Sequence, residues 1–219
     1  MSPQETIRRL APFVTPERLE RFRAVAARRT RQVTVVLENL YQDHNISAVL
    51  RTCDGLGVQD VHVIERENAF RVNEEVALGA SKWLSIHRYR ADAATPDPVA
   101  ACLHRLRSMG YCLVATLPRA GALSVHNCPL DQPVALLLGT EMTGLSEEAI
   151  RGADVAVYYP MEGFTESFNV SVSAALFLQA LLLRLEQLGQ RHPLNTEEQD
   201  RLVAEWLTRS VRHAEAILR

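Results

Sequence analysis

Lysine is almost missing from this chain. Lys82 is the single one in 219 residues, so the remaining positive charge is carried by arginine. Metal-binding patterns are missing too. The four cysteines (Cys53, Cys102, Cys112, Cys128) form no C-x-x-C pair, and the seven histidines form no H-x-x-x-H pair or His/Cys cluster. That spacing excludes the usual zinc sites and predicts reduced, mostly buried thiols. No run reaches the ~20 apolar residues of a bilayer span, and the opening MSPQETIRRLAP lacks the apolar core of a signal peptide. These absences predict a cytoplasmic protein with no membrane partner and no metal. A hydrophobic fraction of 47% is ample for a packed core, which excludes disorder.

The charge that is present is unevenly placed. The whole chain carries −2, yet residues 1–34 hold eight arginines against three glutamates, a net of +5 that leaves −7 for the rest. A basic arm on an acidic body suits a polyanion, with Arg8, Arg9, Arg18, Arg21, Arg28 and Arg29 as candidate RNA contacts. A solvated helix in an arginine-rich chain is the plainer alternative.

Thr15-Pro16-Glu17 reads as a helix start: hydroxyl cap, proline in the first turn, acid at the positive dipole end. From residue 33 strands and helices alternate. VTVVLE (33–38), VHVIE (61–65), WLSIHRY (83–89), YCLVATL (111–117), PVALLLG (133–139) and DVAVYYP (154–160) are strand candidates. Helices are expected over 46–56, from Asp97-Pro98 to Gly110, from after Asn169 to about Gly189, and from Thr196 onward, with a polar loop over 66–82. Unbroken apolar strands between helices predict an α/β fold with a mainly parallel sheet covered on both faces. The helix after Asn169 is apolar on nearly every side, so it lies at the centre of the monomer or also meets a second subunit. The expected divisions are a basic helical extension over 1–32, a central domain over 33–189 and a helical extension over 190–219.

Three stretches could carry chemistry. GTEMTGLS (139–146) has the outline of a P-loop, but Leu145 stands where the lysine belongs and Glu141 lies inside the loop, which excludes a triphosphate. It reads either as a tight strand-to-helix turn capped by Ser146 or as a ligand loop at the carboxyl edge of a parallel sheet. In HNISAVLRTCDGLG (44–57), Arg51 interrupts an apolar helix and is either paired within the protein or aimed at an anion. In PMEGFTESFNVSVSAA (160–175), Asn169 stands where a helix N-cap would.

Together these stretches resemble the three signature motifs of the SpoU/TrmH branch of the SPOUT methyltransferases. They are N-x-x-A-x-x-R-T (Asn45, Ala48, Arg51, Thr52), G-x-E-x-x-G (Gly139, Glu141, Gly144) and P-M-x-G-x-x-x-S-x-N-V-S-V (Pro160 to Val172). The resemblance spans roughly residues 33–189. The arginine-rich start and the final EWLTRS helix resemble the members that methylate the 2′-hydroxyl of guanosine 18 in tRNA. It implies a C-terminal deep trefoil knot, a homodimer with the active site at the subunit interface, tRNA as partner and S-adenosylmethionine as cofactor. The implied cofactor residues are Thr116, Leu117, Gly139, Thr140, Tyr159, Met161 and Phe168. The implied catalytic set is Arg51, Asn45, Ser167, Asn169 and Glu141, with Arg51 holding ribose and phosphate, and Asn45 and Asn169 orienting the arginine and the ribose. A different target ribose in tRNA or ribosomal RNA, or a catalytically silent RNA-binding protein, would use the same scaffold. Two positions depart from the family: Glu166 replaces the usual glutamine and Phe168 the usual leucine.

Overall fold

The computed structural model describes residues 1–93, 95–117 and 121–219. It divides into two compact units, Arg31–Arg191 and a unit that joins Met1–Thr30 to His192–Arg219.

The larger unit is built on seven strands: β1 (Val33–Glu38), β2 (Asp60–Glu65), β3 (Ser85–Arg90), β4 (Cys112–Thr116), β5 (Leu123–Ser124), β6 (Val134–Leu138) and β7 (Val155–Tyr158). Their order is β3-β2-β1-β6-β4-β7-β5, and every pairing is parallel. All side chains of β1, β2 and β6 are buried, as a strand covered on both faces requires. Successive residues point to opposite faces. Val35 and Leu37 therefore join a core with Ile46, Val49 and Leu50 of helix α3 (Asp43–Leu56). Val36 joins the opposite core with Leu103 and Leu106 of α5 (Pro98–Ser108). The left-handed Gly57 (φ 79°) ends α3, a conformation that only glycine adopts cheaply.

Short elements refine the expected outline. The stretch 66–82 contains the single-turn helix α4 (Glu74–Ala77) and a 3₁₀ turn at Ala80–Lys82. Helix α6 (Glu147–Gly152) follows β6, and its N-cap Ser146 accepts from Ala149 N at 3.1 Å. Helix α7 (Val170–Gln187) is the long apolar one, with a length and composition that would suffice to cross a membrane. Eight of its residues are buried in the same core as α3, whereas Val172 and Leu183 stay exposed.

The outer pair β2 and β3 carries a polar ladder. Asp60 accepts from Arg31 Nε at 2.6 Å and pairs with His87 Nε2 at 2.8 Å. Glu65 pairs with Arg88 at 2.6 Å and Arg90 at 2.9 Å. His62 stacks on His87, with ring centroids 4.6 Å apart, and its Nδ1 lies 2.9 Å from the Tyr89 hydroxyl. Burial and the neighbouring His87 push its pKa down to about 3.

The smaller unit packs α1 (Pro3–Leu10) and α2 (Pro16–Ala26) against α8 (Thr196–Ser210) and α9 (Ala214–Leu218). Leu10, Phe22 and Ala26 are buried here, as are Leu202, Val203, Trp206 and Leu207. Phe22 meets Trp206 edge to face at 5.9 Å. A capping box closes the start of α8: the Asn195 side chain accepts from Glu198 N, and Glu198 Oε2 accepts from Asn195 N.

Candidate active site

Because the sheet is parallel and β4 lies between β6 and β7, the carboxyl ends of those three strands emerge side by side. Crevices at this edge are where such sheets hold ligands. Thr116 and Leu117 follow β4, Gly139 and Thr140 follow β6, and Tyr159 to Phe168 follow β7. Thr116 Oγ1 donates to Leu137 O at 2.9 Å, and Leu117 N donates to Val157 O at 2.9 Å, so the β4 end is tied to both neighbours.

The loop after β6 closes on itself. Thr140 N donates to Gly144 O at 3.1 Å and Gly144 N donates to Thr140 O at 2.9 Å. A Cβ at Gly139 would lie 2.2 Å from the Gly144 carbonyl carbon and oxygen, so residue 139 must be glycine for this turn to form. The loop is therefore a tight turn, and it still leaves Glu141, Met142 and Thr143 exposed at the edge, open to a ligand. In the third loop, Tyr159 meets Phe168 edge to face at 6.2 Å and Phe177 of α7 at 5.8 Å. Met161 is half-buried, and Ser167 is exposed.

The three motif stretches meet at one carboxylate oxygen. Glu141 Oε1 accepts from Asn45 Nδ2 at 3.1 Å, from Val170 N at 3.2 Å, and from Asn169 Nδ2. Asn169 Nδ2 also donates to Asn45 Oδ1 at 3.1 Å. Asn169 Oδ1, in turn, accepts from Ser171 N at 3.0 Å and Ser171 Oγ at 2.6 Å, so it is the N-cap of α7. Asn45 Nδ2 also donates to Gln42 Oε1 at 2.5 Å, so both asparagines spend their amides on each other, on Glu141 and on their own helix starts. They orient α3 and α7; in this state their amides are not aimed at Arg51.

Arg51 stands apart from that cluster. It is exposed and, among the described residues, takes no hydrogen bond or ion pair. It lines an open depression of about 620 Å³ with His44, Ala48 and Thr52 of α3 and Val76 of α4. Positions 44, 48, 51 and 52 share one helical face. Of the two readings of Arg51, the structural ion pair is excluded among the described residues. His44, one turn-and-face partner of Arg51, was not singled out by the sequence; its only signal is the seven-residue spacing.

The six candidate RNA arginines divide in the smaller unit. Arg18, Arg21 and Arg28 are exposed on or beside α2. Arg8 is exposed but paired with Glu5 at 2.8 Å, and Arg9 donates to Leu218 O at 3.0 Å. Arg29 is a correction. It is 1% exposed, with its guanidinium 5.6 Å from the Trp206 ring centroid, so it packs under an aromatic ring instead of facing solvent. Arg23, which the sequence reading passed over, is exposed on α2.

Comparison with known proteins places these observations. The model of the SpoU rRNA Methylase family matches residues 32–179. The tRNA (guanosine(18)-2'-O)-methyltransferase of Borreliella burgdorferi is 36% identical over 208 residues, covering 95% of this chain and 92% of the relative. The enzyme of the same name from Thermus thermophilus is 35% identical over 195 residues, covering 88% and 97%. The crystal structure of the Aquifex aeolicus TrmH/SpoU tRNA modifying enzyme superposes with a TM-score of 0.79 at 28% identity, covering 90% of this chain and 98% of that one. The SpoU methyltransferase AviRb from Streptomyces viridochromogenes, solved in complex with AdoMet, gives 0.58 at 25% identity, covering 70% and 60%.

Proposed function

This chain belongs to the SpoU rRNA Methylase family, and we propose that it moves the methyl group of S-adenosylmethionine onto the ribose 2′-hydroxyl of guanosine 18 in tRNA. One observation carries the reading: Glu141 joins Asn45 and Asn169 (96 and 28 residues away in sequence), with Arg51, unpaired among the described residues, six residues along the same helix as Asn45. The names of the relatives from Borreliella burgdorferi and Thermus thermophilus supply the nucleotide.

The cofactor residues fit a ligand with little phosphate charge. Thr116, Leu117, Gly139, Thr140, Tyr159, Met161 and Phe168 contribute backbone groups, three hydroxyls and two aromatic rings, and none of them is charged. Bound there, S-adenosylmethionine supplies an electrophilic methyl on its sulfonium sulfur. In-line transfer forms the oxygen–carbon bond as the carbon–sulfur bond breaks, and the hydroxyl proton must leave. A guanidinium does not take up that proton. Arg51 instead grips the ribose and an adjacent phosphate, whose oxygen accepts it. Glu141, Asn45 and Asn169 hold α3 and α7 at a fixed separation, so that α3 presents Arg51 in its open depression, from which it reaches a cofactor bound by the partner subunit.

Several finer features belong to the same proposal. Val172, Leu176 and Leu183 repeat at helical spacing on the solvent side of α7 and form the seam of a homodimer whose interface completes the active site. The C-terminal strands and α7 form a deep trefoil knot. Exposed arginines of α2 bind tRNA phosphates, and four free thiols suit a cytoplasmic protein. The test is labelled methyl transfer into unmodified tRNA, followed by mapping of the modified ribose. Label on the 2′-oxygen of guanosine 18 is expected; no transfer to any tRNA sinks the reading.

A further inference from the structure

The loop between β7 and α7 holds three aromatic rings, and two have an evident place. Tyr159 and Phe168 meet edge to face, and Tyr159 also rests on Phe177. Phe164 does not join them. Its relative exposure is 109%, the highest of the large apolar side chains among the described residues, and among those residues it meets no other ring. It follows Gly163 and lies three residues before Ser167. A phenyl ring left wholly in water forgoes the free energy of its burial, so an occupant that covers it gains that contact.

The neighbours of Phe164 narrow the occupant. From Tyr159 to Asn169 the loop contains no lysine, arginine or histidine, and Glu162, Thr165, Glu166 and Ser167 flank the ring as exposed oxygen-bearing side chains. Such a loop repels phosphate. It offers instead a π face with hydrogen-bond acceptors around it, the complement of a flat heterocycle whose edge carries N–H donors. Unstacked RNA bases are recognised in this way, by stacking on an aromatic ring and hydrogen bonding at the edge. We propose that Phe164 is a stacking platform for an unstacked base of the RNA, at or next to the methylated nucleotide, and so a specificity residue of this site. The inference rests on the RNA methyl-transfer reading given above.

Steady-state methylation of an unmodified tRNA transcript by the wild type, Phe164→Ala, Phe164→Leu and Phe164→Tyr tests it. The wild-type arm reports on the methyl-transfer reading alone, and the variants report on Phe164. A stack made equally in ground and transition states changes KM and leaves kcat alone. The alanine variant is therefore expected to raise KM for tRNA by about 5- to 150-fold, the range for losing one base–aromatic stack. Tyrosine restores it. Leucine, apolar but without a π face, does not. S-adenosylhomocysteine affinity by calorimetry and mass by light scattering stay at wild-type values in all variants. An unchanged KM in Phe164→Ala overturns the proposal. So does rescue by leucine, loss of cofactor affinity, or loss of dimer, each of which would make the ring a packing contact.

Discussion

Replacing Arg51 by alanine separates binding chemistry from structure because the geometry fixes both expected numbers. The guanidinium is exposed in an open depression and takes no partner among the described residues, while Val49, Leu50 and Cys53 beside it are fully buried. Removing it leaves no buried charge behind, so stability should change by no more than about 0.5 kcal/mol, as for other unpaired surface positions. For a chain of this size that is a melting shift within about 2 °C. A guanidinium in a buried ion pair would instead cost ~3–5 kcal/mol and many degrees. Methyl transfer should behave differently, because in the proposed mechanism Arg51 holds the ribose and the phosphate that accepts its proton. Loss of one such contact typically costs ~100-fold or more. Arg51→Lys should recover little, since a point charge cannot reproduce a two-pronged grip on ribose and phosphate. The assay pairs thermal melting with single-turnover methylation on the same preparations. Near wild-type turnover in a stable Arg51→Ala protein would remove Arg51 from the mechanism, and a melting loss above about 6 °C would show a structural partner.

Four further outcomes follow from particular contacts. Glu141→Ala deprives three N–H donors of their acceptor; because Glu141 is exposed, water replaces part of the loss, and a cost of about 1–3 kcal/mol is expected with weaker cofactor binding, whereas an unchanged melt would refute the joint. Arg21→Glu with Arg28→Glu should weaken tRNA binding and flatten its dependence on log salt by about two contacts, with no change in melting; an unaltered slope would make the arm a solvated face. Leu183→Glu should shift light scattering from dimer to monomer, and a dimer of normal affinity would rule out the α7 seam. Acid should destabilise the fold through His62, which stays neutral when folded down to about pH 3 but takes a proton near pH 6.5 when unfolded. Stability is then full above pH 6.5 and falls by about 2 kcal/mol on reaching pH 5. Denaturant titrations of wild type and His62→Phe at both pH values check this, and equal pH dependence in the two would exclude His62 as the cause.

The strands were legible because burial on both faces writes itself as unbroken apolar runs: 33–38 needed no adjustment, the β6 run lost two residues and the β7 run three. Helix α3 begins at Asp43, earlier than the apolar pattern, because Gln42 supplies no side-chain cap to mark the start. Strand β5 and helices α4 and α6 span two, four and six residues, too few for a period to show, and packing against β7, α3 and α5 sets them. At the site, the motif spacing gave Asn45, Glu141 and Asn169 as residues but not as partners, since hydrogen bonds across 96 and 124 residues leave no periodic trace. Arg29 was misplaced because an arginine packed under Trp206 looks, in sequence, like the exposed arginines beside it. The same packing bears on how the arm can be tested. Deleting residues 1–31 would strip Leu10, Phe22 and Ala26 from α8, so charge reversal on the exposed face is the cleaner perturbation.

The joining of the two chain ends also sets an order of events during synthesis. Helix α1 finds its packing partners in α8 and α9, with contacts such as Gln4 to Asp200 and Arg9 to Leu218 closing 196 and 209 residues of chain. Contacts of that separation form late and slowly, while a growing chain settles from its amino end. The arginine-bearing helices are translated before α8, yet the fold that displays them waits for α8 and α9. A truncated product, stalled anywhere before α8, carries the positive charge without the scaffold that orders it.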